Sequence, residues 1–128
     1  MAQLSTTLEN DLLNHLLRNV QHTSPTAVYA ALYTTDPTGA DTGTEVSGGS
    51  YARQALSFSA PSAGATSNPS DVNFPIASAS WGTVTHVAIR DASSGGNLLF
   101  VGALTVSQTI ATGNQFVFKA GQLAVSLQ

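Results

Sequence analysis

The 128-residue sequence predicts a mainly β protein, an antiparallel β-sandwich of the immunoglobulin-like or jelly-roll type with one N-terminal amphipathic helix. Three observations lead to this prediction. Apolar residues repeat at helical spacing only before residue 25, they alternate with a period of two afterwards, and turn-forming residues interrupt the alternation about every ten to fifteen residues. About seven short strands in a chain of this length are typical of a single-domain sandwich, so we predict one domain over residues 1–128.

The helix is predicted over residues 6–22. Thr6 and Glu9 match a capping box, in which the hydroxyl accepts from a free backbone N–H and the carboxylate reaches back to the cap. Ser24-Pro25 ends the helix, because the residue before a proline avoids the α region. The helix carries an apolar stripe at spacings of three and four residues, formed by Leu8, Leu12, Leu13, Leu16, Leu17 and Val20. We expect this stripe to dock on the sheet or on a neighbouring subunit, which makes its five leucines interface candidates.

The β-sandwich is expected over residues 26–127, with two long loops between its strands. The predicted strands are 26–33, 51–59, 73–76, 83–91, 98–107, 115–118 and 123–127. The loop 36–50 is rich in Gly, Thr and Asp, and the loop 60–73 is rich in Pro, Ser, Ala and Gly. Loops of this length in a compact domain usually carry function or contact a partner.

The charge balance and the chain start exclude several classes of protein. Four Lys and Arg residues against seven Asp and Glu residues give a net charge of −3, so the chain lacks the basic surface that binds nucleic acid. There is no cysteine, which excludes disulfides and thiolate metal sites. The first residues show neither a basic segment nor a long apolar run, so we expect no signal peptide, no membrane contact and synthesis in the cytoplasm.

The composition also favours a component of an assembly. Charged residues make up only 9% of the chain, against roughly 25% in an average domain, and 30 of the 128 residues are Ser or Thr. A surface of short, neutral side chains loses little conformational entropy and desolvates few charges when another protein covers it.

The three histidines do not form a convincing catalytic or metal site. His15 and His22 are seven residues apart, with no Cys and no cluster of carboxylates to complete a metal site. No nucleophile motif accompanies His86 in its strand. We therefore predict a protein without enzymatic activity, cofactor or metal.

Three acidic residues share the first long loop. Asp36, Asp41 and Glu45 are oxygen donors on a Gly-rich loop, as Ca²⁺ requires, but their spacing does not match an EF-hand. The favoured interpretation is a solvated loop, or a loop ordered by contact with another subunit.

Arg53 and Arg90 stand out because the chain has so few basic residues. Each is expected to pair with a carboxylate, such as Asp91 or Glu45, either within the chain or across an interface. Trp81 is either a core aromatic or an interface anchor. Arg53 and Trp81 therefore join the leucines as interface candidates.

Four motifs along the chain carry a resemblance. They are LYTTDPT at 32–38, a segment with Tyr-x-Arg-Gln at 45–54, a segment with Trp-Gly at 79–89, and AGQLAV at 120–125. Together these motifs resemble a family of small virion proteins of tailed bacteriophages, over about residues 8–127. The resemblance implies a structural protein of the virion, because such relatives are labelled as tail-fibre or structural proteins and β-sandwich proteins of similar size also serve as capsid cement.

Within this resemblance we expect a capsid cement or decoration protein on the capsid exterior. Fibre proteins commonly need a long stalk of coiled-coil or β-helical repeats, and the chain has neither. The helix and the two loops would reach the major capsid protein and other copies of the chain, in a homodimer or homotrimer. The alternative is a tail-tip or tail-fibre-associated protein that binds a host receptor or glycan. That alternative predicts exposed aromatics such as Tyr29, Tyr33 or Trp81 in a groove.

Overall fold

The computed structural model describes residues 3–127, in which one helix and nine strands are present. The helix α1 spans Thr6–Leu17. The strands are β1 Gln3–Leu4, β2 Val28–Tyr33, β3 Gln54–Leu56, β4 Ala65–Ser67, β5 Val72–Asn73, β6 Gly82–Arg90, β7 Leu98–Ile110, β8 Val117–Phe118 and β9 Ala124–Ser126. Every strand pairing is antiparallel. The prediction of a mainly β chain with antiparallel strands and an N-terminal helix is confirmed.

The strands form one large sheet and two small ones. The large sheet has five strands in the order β1-β7-β6-β2-β3, and the small sheets pair β4 with β9 and β5 with β8. The long hairpin β6–β7 is the centre of the large sheet. Its register is irregular, because Val84 pairs with Gln108 and His86 with Ala103, which leaves residues 104–107 opposite Thr85 alone. Such a bulge bends the strand and leaves part of it unpaired.

The main core lies between the large sheet and the small sheet of β5 and β8. It joins Leu32 and Val87 of the large sheet to Val72 of β5 and Phe118 of β8. Phe74 is 1% exposed, and its ring lies edge-to-face with Phe116 at 5.8 Å between centroids. This layered packing is what the alternating apolar pattern of the strands predicts.

The opposite face of β2 and β6 is also buried. Side chains alternate along a strand, so Ala31, Tyr33 and Ala88 point away from the main core, and they form a second cluster with Leu98. Segment 36–45 is linked to this side through Arg90, which donates to both Tyr33 and Asp41, and Pro37 within the segment is fully buried. Burial on two sides explains why β2 reads as a nearly continuous apolar run.

The helix begins at Thr6 as predicted, but its N-cap and its C-terminal end differ from the prediction. Ser5, not Thr6, is the N-cap, and its hydroxyl accepts from the N–H of Leu8 at 3.1 Å. The helix ends at Leu17, well before Ser24-Pro25, because Asn19 adopts a left-handed conformation with φ 57°. The capping box at Thr6 and the helix over 6–22 were therefore wrong in detail.

Several strand boundaries also differ from their predictions. The segment 60–73, predicted as a loop, contains β4 and both residues of β5. The strand predicted over 51–59 is reduced to three residues, and the one over 73–76 moves to Val72–Asn73 because Pro75 has no N–H to donate. Strand β7 continues to Ile110. The loop 36–50 contains no strand and pairs with the sheet through one isolated backbone bridge, between Tyr33 and Glu45.

Candidate functional site

Arg90, the last residue of β6, is the centre of a buried polar network. Its guanidinium forms two hydrogen bonds to the carboxylate of Asp41, at 2.8 and 2.9 Å. It also donates to the hydroxyl of Tyr33 at 2.8 Å and to the carbonyls of Gly95 and Gly96. The hydrogen bonds to Asp41 raise the pKa of Arg90, and burial raises the pKa of Tyr33. One side chain thus joins the loop 36–50, strand β2 and the β6–β7 turn.

Arg53 makes a parallel set of contacts just before β3. Its Nε and Nη2 donate to the two carboxylate oxygens of Glu45, each at 2.8 Å. Its Nη1 donates to the carbonyls of Ala92 and Gly95 in the β6–β7 turn, also at 2.8 Å. Both arginines therefore connect the same loop to the same turn.

Glu45 receives a further hydrogen bond from Tyr51. The hydroxyl of Tyr51 donates to Glu45 Oε2 at 2.6 Å and accepts from the N–H of Leu32 at 3.0 Å. Burial by itself would raise the pKa of Glu45, but the hydrogen bonds from Arg53 and Tyr51 outweigh it and lower that pKa. The pKa of Tyr51 is raised, mainly by burial and secondly by its hydrogen bond to the carboxylate of Glu45. The carboxylate of Glu45 is therefore held ionised.

These networks bear on both interpretations of the acidic loop. Most of its residues are exposed, as expected of a solvated loop, but Arg53 and Arg90 order it from within the chain, and contact with another subunit stays a prediction. Glu45 pairs with Arg53, as the sequence suggested, but the partner of Arg90 is Asp41 rather than Asp91. Within residues 3–127 no three His, Asp or Glu side chains lie close enough together to hold a metal ion.

The histidines lie apart from these networks. The N–H of His22 donates to His15 Nδ1 at 3.2 Å, which folds the chain after α1 back along the helix. His86 Nδ1 lies 2.8 Å from the hydroxyl of Thr85, and its Nε2 is 3.7 Å from a carboxylate oxygen of Asp36. That last distance is too long for a hydrogen bond.

The leucine stripe is divided between core and surface. Leu8 is 7% exposed, and it forms a small cluster with Ile89, Leu99 and Val125, against which Leu12 packs. The remaining leucines of the stripe stay exposed: Leu13 by 55%, Leu16 by 72% and Leu17 by 77%. These three side chains share one face of α1, and we call them the leucine ridge.

The other two interface candidates lie inside the chain. Trp81 is 5% exposed, its indole N–H donates to the carbonyl of Gly49 at 2.8 Å, and its ring meets Tyr51 edge-to-face. Arg53 is engaged by Glu45. An interface role for the seven candidates stays a prediction. The candidates with exposed side chains are the three leucines of the leucine ridge.

A groove lies beside the bulged half of β7. It has a volume of about 590 Å³ and runs between this strand and the segments 115–118 and 122–125. Its lining is mixed: apolar side chains such as Phe116, Phe118 and Val106 alternate with polar groups that include the amides of three glutamines, and none of the described lining residues is charged. We call it the β7 groove. The groove could not be predicted from the sequence, because a bulge does not change the alternation of apolar and polar residues along β7.

Comparison with known families decides what kind of protein this is. Residues 3–126 match the family model described as Podophage GP4 fiber I protein gp80. The chain belongs to this family. No curated protein matches the sequence.

Membership of the gp80 family makes the chain a structural protein of a phage virion, which confirms the resemblance at that level. The match favours the tail-fibre alternative over the expected capsid cement, since the family is described by a fibre protein. Within the described residues of the chain, no helix is long and apolar enough to span a membrane.

Proposed function

We propose that this member of the gp80 family is a non-enzymatic component of the phage tail fibre and acts through contacts with other proteins. The observation that carries the proposal is the family match, which extends over residues 3–126 and so includes almost the whole chain. A match of this extent concerns the fold as a unit rather than one shared motif.

The distribution of exposed apolar side chains supports contact with protein rather than with sugar. The large hydrophobic residues that remain exposed in the described part of the chain are all aliphatic: Leu13, Leu16, Leu17, Val20, Ile76, Val106 and Leu127. Exposed aliphatic patches are typical of protein–protein contact sites. A glycan site was expected to present Tyr29, Tyr33 or Trp81, but Tyr33 and Trp81 are 2% and 5% exposed and Tyr29 is only partly exposed.

The arginine networks support the same role. Arg53 and Arg90 connect the loop 36–50 to the β6–β7 turn, so the two segments keep a fixed relative position. A preformed surface loses less entropy when it binds than a mobile one does. Segments held in this way suit repeated assembly with identical neighbours.

Immunogold electron microscopy of purified virions tests the proposal. An antibody against this chain should label the tail region, and particles from a phage that lacks the gene should show no label. Label spread over the heads would overturn the fibre assignment in favour of capsid cement. Absence of label from intact and from disrupted particles alike would overturn both assignments.

A further inference from the structure

We propose that two copies of this chain exchange their N-terminal arms, so that the arm of each copy docks on the body of the other. The arm is residues 3–22, which include β1 and α1, and the body is residues 28–127. Residues 23–27 connect the two parts, and we call them the hinge. The inference concerns the isolated protein and does not depend on its place in the virion.

The surface that receives the arm is defined by contacts within the single chain. Strand β1 pairs with Phe100 and Val101 of β7. The N–H of Ser5 donates to the carbonyl of Leu99 at 2.8 Å, and Leu8 is buried in one cluster with the side chain of Leu99. A second copy carries the identical arm and the identical surface. An arm from that copy can therefore make each of these contacts unchanged, which is the basis of domain swapping.

The hinge lacks the polar contacts that would hold an arm to its own body. All five hinge residues are exposed, and none of them forms a hydrogen bond or an ion pair with another residue of the described range 3–127. The residues just before the hinge are bonded to the arm itself. The N–H of Val20 donates to the carbonyl of Asn14 at 3.1 Å, and the N–H of His22 donates to His15 Nδ1. Turning the hinge towards a second copy therefore breaks no hydrogen bond.

Pro25 and the space beside it favour an extended path for the hinge. The proline ring fixes its own φ and keeps Ser24 out of the α region. A cavity of about 320 Å³ lies between α1, the β6–β7 turn and the hinge, with Thr23 and Pro25 in its lining. A hinge that borders a cavity loses little packing when it extends to a second body.

The protein concentration decides between the two arrangements, because the arm makes the same contacts in both. Within one chain, the hinge keeps the arm near its own body at an effective concentration of the order of millimolar, as short flexible linkers do. A second copy competes once its concentration reaches that range. We therefore expect exchanged pairs at about 1 mM and single chains at about 10 µM.

Disulfide trapping distinguishes an arm on its own body from an arm on another copy. The chain has no cysteine, so Gln3→Cys together with Val101→Cys supplies its only thiols, at positions that pair between β1 and β7. Residues paired on antiparallel strands are close enough for a disulfide. The double variant is refolded from urea at about 1 mM and at about 10 µM, oxidised, and analysed on a non-reducing gel. We expect a covalent dimer whose fraction is about tenfold greater at the higher concentration.

Ala65→Cys together with Ser126→Cys is the matched control. These residues pair between β4 and β9 inside the body, so their disulfide should close within one chain at both concentrations. Melting curves of the reduced proteins show that both double variants are folded. The inference is overturned if the Gln3 and Val101 variant forms only intrachain disulfides at about 1 mM, or no more dimer than the control does.

Shortening the hinge tests the same inference without cysteines. Deletion of residues 23–27 removes up to about 17 Å of reach, so the arm loses access to its own body and must dock on another. In analytical ultracentrifugation at about 10 µM, the deletion variant should sediment as pairs of chains. The unmodified protein should sediment there as single chains of 13.1 kDa. A folded deletion variant that sediments as a single chain would contradict arm exchange.

Discussion

Replacing Asp41 with Asn tests whether the Arg90 network holds the loop 36–50 in place. The substitution keeps the shape of the side chain but removes the charge that faces a 6% exposed arginine. Breaking a buried ion pair costs about 3–5 kcal/mol, whereas breaking an exposed pair costs about 0–1 kcal/mol. Asp41 itself is 40% exposed, and Arg90 retains Tyr33 and two carbonyls as acceptors. We therefore expect a loss of about 2 kcal/mol in the free energy of unfolding.

Thermal and urea denaturation followed by circular dichroism measure this loss. For a domain of this size, about 2 kcal/mol corresponds to a fall of about 8 °C in Tm. Asp36→Asn is the matched control, because Asp36 lies in the same loop with a 58% exposed side chain and no cationic group within hydrogen-bond distance. We expect Asp36→Asn to change the unfolding free energy by less than about 0.5 kcal/mol. Equal Tm values for Asp41→Asn and the unmodified protein, or equal losses for the two variants, would refute the reasoning.

Three further outcomes are expected from the same geometry. The pKa of Glu45 is lower in the folded chain than in the unfolded one. Its contribution to stability is therefore complete above the unfolded value of about 4.3 and is lost as the pH falls through the folded value. Urea titrations at several pH values should show this dependence of the unfolding free energy on pH, and Glu45→Gln should reduce it. Gly49→Ala should lower the unfolding free energy more than Gly48→Ala does, since both residues have positive φ but only a Cβ at Gly49 would meet the core indole; equal losses would contradict the steric argument. Leu8→Ala should cost about 2–5 kcal/mol in chemical denaturation, while Leu16→Ala should cost less than about 0.5 kcal/mol of the stability of the single chain.

Features that depend on neighbouring residues along the chain could be predicted from the sequence. The leucine spacing indicates α1, and the alternation of residues 83–90 indicates β6. The helix ends could not be placed as well, because Ser5, Thr6 and Thr7 are all acceptable caps and the contact of the Ser5 N–H with the carbonyl of Leu99 selects one of them.

Features that depend on distant pairing could not be predicted. Strand β4 forms because Ala65–Ser67 lies beside β9 near the end of the chain, whereas its own composition is that of a loop. The β7 groove depends on the bulge opposite Thr85, which arises from the register between two strands. The residues within a single segment do not show that β4 pairs with β9 or in which register β6 pairs with β7.

The candidate site shows the same division. The scarcity of basic residues drew attention to Arg53 and Arg90, and one of the carboxylates suggested for Arg53 was correct. The partner of Arg90 was missed because Asp41 is 49 residues away, while Asp91 is adjacent. Asp91 instead accepts from the N–H of Asn97 and closes the turn.

The two arginine networks have a consequence for the conditions under which this protein can work. Arg53 and Arg90 are half of the four basic residues of the chain, and both are neutralised internally by Glu45 and Asp41. The exposed apolar side chains therefore carry little electrostatic attraction that dissolved ions could screen. Any contact made through them should not weaken as the salt concentration rises, and salts that are excluded from the protein surface should strengthen it.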